Sequence, residues 1–108
     1  MFKMIQNPEF DATIKGAMPG DEADEFTFKA RFVAMSSEER KAFDMATVDG
    51  TTAFLQKVFI GFSDVTDAAD KPVPYSEQSR DWLIQQDWTR GPLLRTYFTA
   101  IVGAALGN

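Results

Sequence analysis

Asp64, Asp67 and Asp70 recur at three-residue intervals, and carboxylates gathered on one loop are the ligands a calcium ion takes. The alternating aspartates, central glycine and terminal glutamate of a calcium-binding loop are missing around them, so the bland alternative is a solvated acidic loop. The neighbours Glu38 and Glu39 offer a second pair of carboxylates. Acid-base hydrolysis needs two such groups facing each other across a cleft, whereas adjacent glutamates at a helix start complement the helix dipole. Gly16-Ala17-Met18-Pro19-Gly20 and Gly103-Ala104-Ala105-Leu106-Gly107 lack the Gly-Lys-Ser/Thr ending of a phosphate loop.

The 108 residues include no histidine and no cysteine. That excludes Ser-His and Cys-His nucleophilic mechanisms, thiolate chemistry and disulfides, and leaves no catalytic, cofactor-binding or metal-ligating set to nominate. The reading is therefore of a protein that is not an enzyme. What remains is a set of interface-type anchors toward the C-terminus: Trp82, Trp88, Tyr97 and Phe98, with Arg90 and Arg95 among them. Core packing is the competing explanation for Trp82 and Phe98.

Charge distribution points the same way. Eleven basic against sixteen acidic residues give a net charge of −5, which makes nucleic acid and anionic membrane poor partners. Residues 1–79 carry 8 basic and 14 acidic groups, while residues 88–108 carry only Arg90 and Arg95. An apolar, mildly basic terminal helix suits a protein partner or a like subunit. Leu93 to Leu106 is too short to span a bilayer and carries Arg95, and no export signal is visible before Pro8, so the cytoplasm is the default location.

The elements that must present these residues follow from periodicity. Phe10, Ala12 and Ile14 alternate with Asp11, Thr13 and Lys15, and Phe26, Phe28, Ala30 and Phe32 alternate with Thr27, Lys29 and Arg31. Joined by the turn-rich stretch Pro19 to Glu25, they predict an antiparallel hairpin over about 9–17 and 25–34. Its aromatic face needs a helical cover, and its edges are open to pairing with another chain.

Four helices should supply that cover. Ser36-Ser37-Glu38-Glu39 is a capping-box sequence that starts a helix over about 37–48, with Val48-Asp49-Gly50 as its stop. Thr51 or Thr52 caps a second over 51–61, whose stripe is Phe54, Leu55, Val58, Phe59 and Phe62. Residues 61–74 read as a loop, Ser76 caps a third helix over 77–86 with Trp82 and Leu83 on its apolar side, and Trp88 follows its end. The last runs over 89–105 with Pro92 in its first turn and Leu93, Leu94, Tyr97, Phe98, Ile101 and Val102 as its apolar face. The expectation is one α+β domain over residues 1–108.

Several stretches resemble the tail assembly chaperones of long-tailed bacteriophages. Phe54-Leu55-Gln56-Lys57-Val58-Phe59-Ile60-Gly61-Phe62-Ser63-Asp64-Val65 is similar to that family's helix ending in a Gly-aromatic-Ser/Asp-Val turn, and Asp70-Lys71-Pro72-Val73-Pro74-Tyr75-Ser76 to its loop of acidic, small, Pro, apolar, Pro, aromatic and Ser residues. Arg95-Thr96-Tyr97-Phe98 resembles the basic-to-Tyr-Phe centre of its last helix, and the strand Phe26 to Phe32 running into Ser36-Ser37-Glu38-Glu39 resembles its N-terminal half. Together these cover most of residues 26–108. The resemblance implies a non-catalytic protein of the host bacterial cytoplasm that self-associates, binds the tape measure protein, keeps it soluble, recruits tail tube subunits and is absent from the finished virion. The alternative class is a structural virion component such as a minor tail or head-tail connector protein.

Overall fold

A computed structural model of the chain describes residues 1–22 and 24–103. Its architecture is α+β. The N-terminal hairpin is formed by β1, Glu9–Met18, and β2, Asp24–Val33, paired in one continuous antiparallel register from Glu9 opposite Val33 to Met18 opposite Asp24. The period-two pattern decides which face is buried. Ile14, Phe28, Ala30 and Phe32 are inside, while the opposite face is wet and carries Arg31 bonded to Glu9 and Asp11 at 3.2 and 2.9 Å.

A third strand stands where the apolar periodicity predicted helix. The second helix, which is α2 below, ends at Val58, and Phe59–Ser63 forms β3 along the far edge of β2, giving the sheet order β1-β2-β3. Val58, Phe59 and Ile60 favour extended backbone as readily as helix, and the ladder on β2 decides between them. Lys29, Ala30 and Arg31 pair with Ser63, Phe62 and Gly61, then Phe32 pairs with Phe59, so Ile60 is skipped in a bulge. That extra residue lets Phe59 and Phe62 both turn toward the core, which is why a strand imitated a helical stripe. β3 also occupies the edge of β2 that the hairpin alone would leave open.

The first helix is shorter than its 37–48 expectation. Ser36 and Glu39 form the capping box as expected, but α1 is the single turn Ser37–Arg40. Asp44 accepts from the Ala46 amide and draws the chain out of helix, while Phe43 turns in against Phe54 with ring centroids 5.8 Å apart. Thr47, not Thr51 or Thr52, caps α2, Val48–Val58, its hydroxyl accepting from the Gly50 amide at 2.9 Å. Val48-Asp49-Gly50 is thus a start and not a stop. Gly50 is helical, and a Cβ there would overlap the carbonyl of Asp44.

α3, Glu77–Gln85, is capped by Ser76. α4 runs Asp87–Ile101, two residues earlier than expected, and takes Trp88 into its first turn. Pro92 consequently lies inside the helix instead of in its first turn. Gly91, with no Cβ for the proline ring to crowd, lets α4 continue through it. Val102 just follows α4 and is exposed, against its expected place on the apolar face. The predicted final residues 104–105 lie outside the described residues.

All three strands and α2 to α4 contribute to one core of Ile14, Phe28, Ala30, Phe32, Phe54, Leu55, Val58, Phe59, Leu83, Ile84, Leu93 and Tyr97. Among the described residues no helix is long and apolar enough to cross a membrane.

Candidate functional site

The helical layer stops short of covering the start of β2. α3 and α4 meet at a corner where the buried Thr89 hydroxyl donates to the carbonyls of Leu83 and Gln86. Beyond that corner a groove of about 890 Å³ opens between the hairpin, the 64–74 loop and the two helices. Phe26 and Phe28 form one wall, their rings stacked at 6.2 Å. Trp82 and Leu83 of α3 and Trp88 of α4 form the other, and Phe62, Val65 and Pro74 close the end.

Phe26 lies over Gly16, its partner across the hairpin, and a Cβ at that position would overlap the ring. The glycine therefore lets an aromatic side chain fold down onto the neighbouring strand and form the wall.

The loop wall is ordered by its aspartates. Asp64 and Asp70 adopt left-handed backbone with φ of 63° and 60°, a conformation aspartate tolerates better than most residues. The Asp67 carboxylate accepts from the amides of Ala69 and Lys71 at 2.8 and 3.0 Å, and the Val73 amide donates to Val65 at 2.8 Å. The Asp67 carboxylate thus closes the turn by satisfying loop amides, while Asp64 and Asp70 supply its left-handed backbone positions. Among the described residues, Asp64 and Asp67 are also the charged ones that line the groove.

Of the six residues singled out in the sequence, only Trp82 and Trp88 share this site. Trp82 is 58% exposed and so is not on the buried side of α3, where Leu83 and Ile84 pack. Tyr97 is fully buried and presents no surface to a partner. Its ring packs against Phe10, Phe32, Phe54 and Phe98, and its hydroxyl accepts from the Met35 amide at 2.9 Å. Burial raises the Tyr97 pKa above its ordinary value, with the Met35 bond opposing.

Arg90 is also withdrawn from the surface, at 8% exposure. Its guanidinium donates to the hydroxyls of Thr51 and Thr52 at 2.8 and 2.7 Å and to the Val48 carbonyl at 3.3 Å, clamping α4 to the first turns of α2. Phe98 is half-buried, stacked on Phe54 at 5.7 Å with Arg40 over its ring. Arg95 is exposed on the far side of β1, its guanidinium 3.4 Å from the Lys15 carbonyl in a separate shallow hollow. The terminal helix thus spends its aromatic and basic residues on the core, apart from Trp88 and Arg95.

The walls that sequence reasoning passed over are Met18, Phe26, Phe28 and Phe62. Phe26 and Phe28 are visible in the sequence as members of an alternating apolar run, which marks their face but not where the helical cover ends. A second apolar feature lies at the opposite end of the hairpin. Phe2 and Met4 are 86% and 94% exposed, and Met1 and Ile5 are exposed with them. Comparison of the chain with family models, curated proteins and solved structures returns no match.

Proposed function

We propose that the domain is a non-catalytic tail assembly chaperone of a long-tailed phage or prophage, and that its groove holds an apolar helical segment of the tape measure protein. The observation that carries this reading is the groove itself. An aromatic and aliphatic trough open to solvent, flanked by two tryptophans on separate helices, matches the groove that an amphipathic helix lays its apolar face into. The stretches that carry the family resemblance meet there: Phe62, Asp64 and Val65 come from the first, and Val73, Pro74 and Ser76 from the second.

On this reading the acidic body keeps the loaded client soluble, and tail tube subunits are recruited to the surface that remains. The work is done in the host cytoplasm, and the protein leaves before the tail is finished. Co-expression with a helical tape measure fragment tests it. The fragment should stay soluble with the intact domain and precipitate with a Trp82→Ser, Trp88→Ser variant, and equal precipitation with both contradicts the proposal. Abundant recovery of the protein from purified virions supports the structural-component alternative instead.

A further inference from the structure

We infer that, when no client is bound, the groove of one copy receives the N-terminal arm of a second copy, residues 1–6. The inference rests on reading the groove as a site for apolar segments. It adds the ligand that fills the site at rest and a competition that governs client entry.

The arm is the most exposed apolar segment among the described residues, with Met1, Phe2, Met4 and Ile5 all facing solvent. Its root is fixed. Asn7 donates from Nδ2 to the Ala34 carbonyl and to Glu39 Oε1, both at 2.9 Å, and the Pro8 carbonyl accepts from the Ala34 amide at 2.8 Å. That anchor lies at the Glu9 and Val33 end of the hairpin, whereas the groove lies around Phe28, Phe26 and Met18.

Five to seven strand residues separate Val33 from Phe28 and Phe26, a span of roughly 17–24 Å at about 3.4 Å per residue. Ile5 and Met4 are two and three residues from Asn7 and reach at most about 7–11 Å from it. Phe2 and Met1, five and six residues out, reach about 17–22 Å and can touch the near part of their own groove. Met4 and Ile5 cannot enter it, so the whole arm can be seated only in the groove of a neighbouring molecule. Charge agrees with this pairing. Lys3 is the single charged side chain of residues 1–6, and among the described residues the charged ones that line the groove are Asp64 and Asp67.

Sedimentation velocity of the full chain over a wide concentration range, with two surface variants, tests the inference. Phe2→Ser with Met4→Ser removes the arm's apolar contacts, and Trp82→Ser removes the groove's most exposed one, each at a solvent-facing position that folding does not require. The unmodified chain should associate with rising concentration, and each variant should associate about tenfold more weakly or worse. An equimolar mixture of the variants should recover a 1:1 complex, because one contributes an intact groove and the other an intact arm. A monomeric unmodified chain, unchanged association of the arm variant, or no complex in the mixture overturns the inference. The arm variant retains its groove, so its binding of a tape measure fragment is read separately: client binding by it while the unmodified chain stays monomeric sinks the arm and spares the chaperone reading. Self-association without client binding does the reverse.

Discussion

The Tyr97 hydroxyl accepts the Met35 amide at 2.9 Å, joining the middle of α4 to the segment that leaves β2 across 62 residues of sequence. This bond lets a polar aromatic residue sit fully buried among Phe10, Phe32 and Phe54. It fixes α4 over the sheet, and with it the corner that sets Trp88 beside the groove.

Tyr97→Phe should cost about 1 kcal/mol in urea unfolding at neutral pH, since the Met35 amide loses its acceptor. The pH dependence follows from the direction of the shift. Because burial raises the Tyr97 pKa, its stabilising contribution is intact below the ordinary tyrosine value near 10 and declines as pH rises through the folded value. The unmodified chain should therefore lose stability above about pH 10 more steeply than the phenylalanine variant.

Arg90 is a buried cation whose partners among the described residues are two hydroxyls and a carbonyl, none of them bonded to its Nε. Removing the acceptors while leaving the charge should therefore harm more than removing the charge. We expect Thr51→Val with Thr52→Val to cost about 3 kcal/mol or more, and Arg90→Met to cost about half as much. Chemical denaturation of the three chains checks the order.

Glu39 accepts from Asn7 and from the Ser36 amide, and these bonds hold its carboxyl below the ordinary glutamate range. A lowered pKa contributes stability that is present above the unfolded value and lost as pH falls through the folded one. The stability difference between the unmodified chain and Glu39→Gln should thus be visible at pH 7 and shrink below about pH 4.5. Thermal melts across that range check it, and the Asn7 side-chain amide resonances should shift over the same interval.

Two glycines should respond differently to alanine. At Gly50 the added methyl meets the backbone of Asp44, which cannot step aside, so Gly50→Ala should cost about 2–3 kcal/mol. At Gly16 it meets the tip of the Phe26 ring, which can swing away. Gly16→Ala should cost less than about 1 kcal/mol but displace Phe26 from the groove wall, seen as a change in its ring resonances and weaker client binding.

The hairpin was legible because alternation over ten residues has one structural meaning, and Ser36 to Glu39 and Ser76 announced helix starts through capping chemistry. β3 was not legible, because a bulge at Ile60 places Phe59 and Phe62 on one side just as a helix would. Gly50 misled in the opposite way: its type suggested a left-handed stop, but it is there for the close approach of Asp44. At the site, Trp82 and Trp88 stood out by residue type. Tyr97 and Arg90 stood out equally and belong to the interior, since their burial is decided by contacts from β2, the segment that follows it and α2, all far away in sequence. Phe26 and Phe28 escaped notice as groove walls because alternation tells which face is apolar, but not where the covering helices end.

Trp82 and Trp88 are the chain's two tryptophans and both line the groove, so tryptophan emission reports that site alone. Titrating the arm variant with a tryptophan-free helical tape measure fragment should produce a saturable blue shift as both indoles leave water. Binding of the fragment, followed by its own label, with no change in emission would place the client elsewhere and contradict the account.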